Sequence, residues 1–409
     1  DEHGQTWAEP VVVSSGAYSF VDPPQMYGRA GETLHVVFEA VDSSGVSKIY
    51  YTFSEDGGLT WSDDAVISGN DAAAAYPYLA VDDDPADSDN DRLHVVWAAH
   101  SQGGANSLYS TADGDVLVAD TGGAAVDGGT TGQPVEDLGR VTAWVDVDGN
   151  RRYSDGDHVW IEDAATSDLT YQAAQDTEVT DTAPVPPVEG MAADAILFGA
   201  FLSDANSNGD YDDGEVFWVN SRDIRYTRIQ RDGTWAAGTP VTLDTDTAPG
   251  IDGQNPKAAV DSQGRVHATY YAASGREIRY VRSADTGETW SVPETVASLG
   301  TDTVVSPAVA VSGGKQIGIS DDGRLRTPPE RLHVVWADDT TPSAQLRSKV
   351  LQDLETGAFA AVVQQPVSLD TDNDLVAGGS VMGLYAEADK YGNLHLIYGN
   401  DGFTRIYYR

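Results

Sequence analysis

Twelve residues flanked by apolar runs, "DANSNGDYDDGE" from Asp204 to Glu215, carry an oxygen donor on almost every second position. Asp204, Asn206 and Asn208 stand at the first, third and fifth places, and Gly209 at the sixth allows a sharp turn. The Asp210 carbonyl follows at the seventh, Asp212 at the ninth acts through water, and Glu215 at the twelfth closes the loop with two oxygens. Oxygen-only donors in that order, around that turn, suit calcium. A second stretch, "DVDGNRRYSDGD", offers Asp146, Asp148, Asn150, the Arg152 carbonyl, Ser154 and Asp157. It departs from the pattern with Arg151 in the glycine place and an aspartate at the end. The acidic tract "DDDPADSDND", Asp82 to Asp91, lacks the spacing and is a weaker cation site.

Strand-like runs flank both loops: "AILFGAFL" and "VFWVN" around the first, "VTAWV" and "HVWIE" around the second. The loops at 146–157 and 204–215 are therefore expected as EF-hand-like static staples inside hairpins, not as helix-flanked sensors that open. The hairpins belong to a repeat. "LHVVW" occurs at Leu93 to Trp97 and again at Leu332 to Trp336, with "LHLIY" at Leu394 to Tyr398. Segments such as "PYLAVD" and "PKAAVD" precede these phrases, and I-x-Y runs and the turns "SEDGGLTW" (54–61) and "SADTGETW" (283–290) follow them. Four short β-branched and aromatic runs per unit of about 45 residues describe a blade of a β-propeller. The reading is all-β, one domain over 1–409, with about seven four-stranded antiparallel blades. They fall near 18–68, 76–119, 138–180, 190–243, 255–297, 306–369 and from 380 onward; six remain if 138–180 is an insertion.

The last unit stops at "TRIYYR", a third strand without a fourth. The opening "DEHGQTWAEPVVV" places Glu2, Gly4, Thr6 and Trp7 where a turn and fourth strand are missing. The N-terminal strand is expected to close the last blade within one chain; the same geometry allows donation to a second copy and a filament.

Composition narrows the partners. Against 24 Lys+Arg stand 65 Asp+Glu, a formal charge of −41, which repels nucleic acid and anionic lipid. No cysteine is present, so thiol chemistry and disulfides are excluded. The apolar runs are too short for a membrane-spanning helix, and no membrane insertion is expected. The chain starts at Asp1 without a signal peptide, which reads as a mature secreted form or a trimmed one.

The S-x-D-x-G-x-T-W turn and its unit resemble the Asp-box, or BNR, repeat of sialidase-like β-propellers. The resemblance implies that Asp56, Thr60, Trp61, Asp285, Thr289 and Trp290 pin outer hairpins and do no chemistry. It also implies what to look for in a sialidase, and this sequence departs from it: no Arg-Ile-Pro motif occurs, and Arg29 stands alone in the first unit. Arg225 and Arg279 share one repeat position beside Tyr226 and Tyr280, which reads as rim packing or a solvated strand face. Five of the eight histidines (His35, His94, His267, His333 and His395) also share one position and read as packing residues, and His100 is the one outside the repeat that would fall in a 2–3 loop. The links "LDTDTAPGID" and "LDTDNDLVAGG" would ring one face with Asp244, Asp246, Asp252, Asp370, Asp372 and Asp374. The functional expectation is a secreted, calcium-stabilised, non-catalytic module for adhesion, glycan or protein contact, or self-assembly. The alternative is a secreted glycoside hydrolase or polysaccharide lyase with a site on that face.

Overall fold

The computed structural model of the chain describes residues 9–21, 24–28, 33–41, 47–69, 71–82, 92–100, 109, 115–119, 130–135, 138, 140–145, 147, 156–163, 168–179, 188–193, 195–196, 200–219, 223–230, 234–235, 240–244, 253–272, 277–298, 307–313, 318–319, 325–326, 329–338, 345–355, 358–359, 367–368, 381–389, 393–400 and 406–408. Among them the regular elements are strands, paired antiparallel. Central strands such as Val266–Ala272 are buried along their whole length, because sheets cover them on both faces.

Five sheets repeat one plan. The first holds Phe20–Val21 and Gln25–Tyr27 on one edge of Leu34–Val41, then Ser47–Ser54 and Ala65–Val66. The third runs Gly253–Val260, Val266–Ala272, Glu277–Ser283, Glu294–Ser298, and the fourth Ala308–Ser312, Arg331–Asp338, Gln345–Leu351, Val367–Ser368. The fifth has three strands: Val381–Ala388, Leu394–Asn400 and Ile406–Tyr408. Buried side chains join neighbours in series. Tyr51 and Ile67 meet Leu93 and Trp97 of the second sheet; Tyr226 and Leu243 meet Ala268 and Tyr270 of the third. Tyr280 and Val296 then meet Val309 and Trp336 of the fourth, whose Ala308 and Val335 meet Leu384 and Leu396 of the fifth.

The second sheet corrects the expected blade boundaries. Its strands are Ala72–Asp82, Arg92–His100, Asp223–Gln230 and Val241–Thr242, so residues 92–100 pair with 223–230 across more than a hundred residues. The physical reason is a histidine–tyrosine latch. His35 Nδ1 meets the Tyr51 hydroxyl at 2.8 Å, His267 meets Tyr280 at 2.8 Å and His395 meets Tyr408 at 2.7 Å, each across adjacent strands. His94 makes the same 2.8 Å contact with Tyr226, not with a residue of 101–119.

Described residues between these two strands form two sheets of their own. Val116–Ala119, Val216–Val219, Ala200–Ser203 and Gln133–Pro134 form one sheet; Thr177–Glu178, His158–Ile161, Thr142–Val145 and Ala195–Ile196 form another. They share a core of Val118, Trp144, Ile161, Leu202 and Phe217, and the apolar clusters of 109–219 include no residue from outside that range. The segments 138–180 and 190–219 thus lie in an insert between two paired strands of the second sheet, and the expected units 76–119 and 190–243 are each divided between two sheets.

The turns at 54–61 and 283–290 are tied by the same local hydrogen bonds. Asp56 accepts from the Leu59 and Thr60 amides at 3.0 and 2.8 Å and from the Thr60 hydroxyl at 2.6 Å. Asp285 accepts from the Thr289 amide at 2.8 Å and its hydroxyl at 2.6 Å. These donors hold both carboxyls down at about 2. Gly287 takes φ +91° and lies against Tyr226, where a Cβ would strike the hydroxyl, so the position favours glycine.

Residues 9–18 do not form the expected strand beside Ile406–Tyr408. Ser15 and Gly16 donate backbone N–H to Asp64 at 2.8 and 3.0 Å, Tyr18 donates its hydroxyl at 2.8 Å, and Val13 packs on Val36, Phe38 and Tyr50. Local donors thus hold this segment on the first sheet; residues 1–8 lie outside the described residues.

Candidate functional site

Each insert sheet is built around one hairpin. Thr142–Val145 pairs with His158–Ile161, from Thr142↔Ile161 to Val145↔His158; Ala200–Ser203 pairs with Val216–Val219, from Ala200↔Val219 to Ser203↔Val216. The turns of these hairpins are the two loops singled out by spacing, 146–157 and 204–215. They sit in the insert, not in hairpins of the repeating sheets as the blade reading had it.

The 204–215 loop is described throughout. Asp204 accepts from the Asn208 and Gly209 amides at 3.2 and 2.7 Å, and Gly209 takes φ +80° at the turn. Buried Glu215 spans the loop, one oxygen accepting from the Ala205 amide at 2.8 Å and the other from Asp212 at 3.1 Å. The amide groups of Asn206 and Asn208 both donate to Asp212, at 2.6 and 2.7 Å. Arg140 pairs with the Asp210 carboxylate. Among the described residues no three His, Cys, Asp or Glu groups converge on one point. A cation here would draw Asp204, Asp212 and Glu215 inward together with the two amide oxygens, and the donor set fits calcium on chemistry and order.

Of the second loop, Asp157 is described; Asp146, Asp148, Asn150, Arg152 and Ser154 lie outside the described residues. Buried Asp157 accepts from the Val147 amide at 3.0 Å. This is the contact that Glu215 makes with Ala205: in both loops the last carboxylate latches the second amide. The two hairpins, with Trp160 and Trp218 at matching places, form an internal repeat of their own, distinct from the "LHVVW" repeat. Beside the 204–215 loop opens a hollow of about 490 Å³, lined by Gln133, Leu138, Leu202, Asp204 and Asn208 among others.

The residues expected on the other face divide. Asp244 is buried, and burial pushes its carboxyl up to about 6 against the pull of Arg279. Asp246, Asp252, Asp370, Asp372 and Asp374 lie outside the described residues, as do Arg29 and the His100 side chain. Arg225 is neither a rim residue nor solvated: its Nε donates to buried Asp71 at 3.1 Å, and Trp97 donates to the same oxygen at 3.2 Å. Sequence reasoning missed Asp71; its place in a link between sheets, like that of Asp244, was the available signal.

No family model and no curated protein matches this sequence. Solved structures similar to the chain include a mutant NanB sialidase from Streptococcus pneumoniae, at 14% identity over 95% of this chain and TM-score 0.44. The intramolecular trans-sialidase from Ruminococcus gnavus is 12% identical over 97% of this chain and 96% of its own, with TM-score 0.34. The α-L-arabinanase from Penicillium chrysogenum is 12% identical over 97% of this chain and 80% of its own, with TM-score 0.36. This chain spans 58% of the pneumococcal structure. At these scores none of the likenesses decides fold or function.

Proposed function

We propose that the chain is a calcium-stapled β-propeller that acts outside cells as a non-catalytic module, binding a glycan or protein through its insert. The propeller has five blades, with the insert rising from the connection between the second and third strands of the second blade. The observation that carries the reading is the repeated hairpin with its shared latch: two strands, a twelve-residue loop of oxygen donors, and the last carboxylate on the second amide. Loops of this type load at the millimolar calcium found outside cells. The non-catalytic assignment is supported by what the repeated polar residues already do: His35, His94, His267 and His395 are latched to tyrosines, and Arg225 to Asp71.

The test of function is binding of the intact chain to immobilised polysaccharides and cell-surface proteins, with calcium and with chelator. Calcium-dependent retention is expected, and turnover of a sugar polymer would overturn the assignment.

A further inference from the structure

One position of the repeat lies at the meeting point of the sheets. Gln25 pairs with Val37, Tyr78 with Val96, Lys257 with Thr269, Ala308 with Val335 and Tyr385 with Ile397. Those partners are one residue of the "LHVVW" phrase and its variants, so the five are equivalent by register. Four of them touch, although they come from four sheets. The Lys257 ammonium lies 4.8 Å from the centre of the Tyr78 ring and 5.3 Å from that of Tyr385, and the Gln25 amide donates to the Tyr385 hydroxyl at 3.4 Å. In the second, third and fifth sheets the register shifts immediately before this position, between Ala75 and Tyr78, Gln254 and Lys257, and Met382 and Tyr385. Such bulges re-aim a side chain.

Lys257 makes no hydrogen bond or ion pair with any described residue. Ring faces attract its charge but supply no counterion. Of the titratable groups near it, Tyr78 stays neutral, pushed up to about 12 by burial, with Glu387 and Tyr385 adding to the rise. Glu387 lies two residues along the strand from Tyr385 and is exposed. Gln25 and the two tyrosines bring N–H and O–H donors. We infer that this meeting point is an anion site, where Lys257, framed by Tyr78 and Tyr385, takes a small oxyanion of the carboxylate class. Burial draws the Lys257 amine down to about 8, and a bound anion reverses that. The inference stands on contacts among four sheets and does not depend on the calcium loops.

The test uses the whole chain and an amine-acylating ester, with labelling of each lysine read by peptide mass spectrometry. Lys48, Lys315, Lys349 and Lys390 are internal controls. Sodium acetate and sodium sulfate are titrated separately through the millimolar range at constant ionic strength. A one-unit rise in the amine's pKa cuts its reactive fraction about tenfold at neutral pH, and that slowing is expected at Lys257 alone. Slowing by acetate only assigns a carboxylate; slowing by both salts assigns a general oxyanion site. Melting of Lys257→Met with and without acetate gives a second readout, and the acetate-dependent rise of the native protein should vanish. Equal labelling of Lys257 with and without either salt, or an acetate shift retained by Lys257→Met, overturns the inference.

Discussion

Asp71 shows what a single residue contributes to this fold. It sits in the link between the first two sheets, buried, and takes hydrogen bonds from Arg225 and Trp97 on the second. Burial raises its carboxyl pKa, and Arg225 is the strongest opposing influence. Removing one partner of a buried pair leaves an uncompensated charge, which costs about 3–5 kcal/mol. Arg225→Ala should lower the unfolding free energy read from urea melts by that much, whereas Arg279→Ala, at a less enclosed repeat position, should cost less. The sequence shows that Arg225 and Arg279 are equivalent, but not which way they face. Equivalence comes from spacing; direction comes from a link residue that no local pattern singles out. Asp56 and Asp285 were legible in full, because their partners lie within four residues.

At the scale of the element, the strands were readable and their partners less so. The phrase "LHVVW" at 93–97 needed an I-x-Y strand, and the nearest true one, Ile224 to Tyr226, lies beyond the insert. Local rhythm could not reveal a pairing that the His94–Tyr226 latch enforces. That latch carries a pH prediction. Burial, with Arg228 and Arg92 nearby, lowers His94 to about 3 from the usual 6.5, so the folded protein keeps it neutral. The unfolded chain alone binds this proton between those values, and stability falls as pH drops through 6.5. At pH 5 the loss from this group is about 2 kcal/mol relative to pH 7. Urea melts of His94→Gln at both pH values should show a correspondingly smaller acid loss than the native protein. The N-terminal segment gives a second prediction: deleting residues 1–18 removes the donors to Asp64 and the packing of Val13 and Tyr18 on the first sheet, and should lower the urea midpoint. An unchanged midpoint would contradict that role.

At the scale of the molecule, the repeat and the calcium pattern were both in the sequence, yet their relation was not. Read in order, the hairpins at 142–161 and 200–219 pass for irregular blades. They share no core cluster with the repeating sheets, which makes them a separate unit. Ala99 stands opposite Asp223 in the second sheet, so the two ends of the insert meet. Replacing residues 101–222 with a short Asn-Gly turn should therefore leave a folded protein of five sheets, with far-UV circular dichroism of the same β type.

The account rests on the insert being held by calcium while the repeating sheets are not. A ligand bound only to the native state raises its melting temperature by mass action. Scanning calorimetry of the whole chain, in millimolar calcium and then in chelator, measures both parts at once. Two transitions are expected, of which chelator lowers one and leaves the other in place, with Asp204→Ala reducing that response in part. A single transition, or melting that chelator does not move, would contradict the calcium-stapled insert.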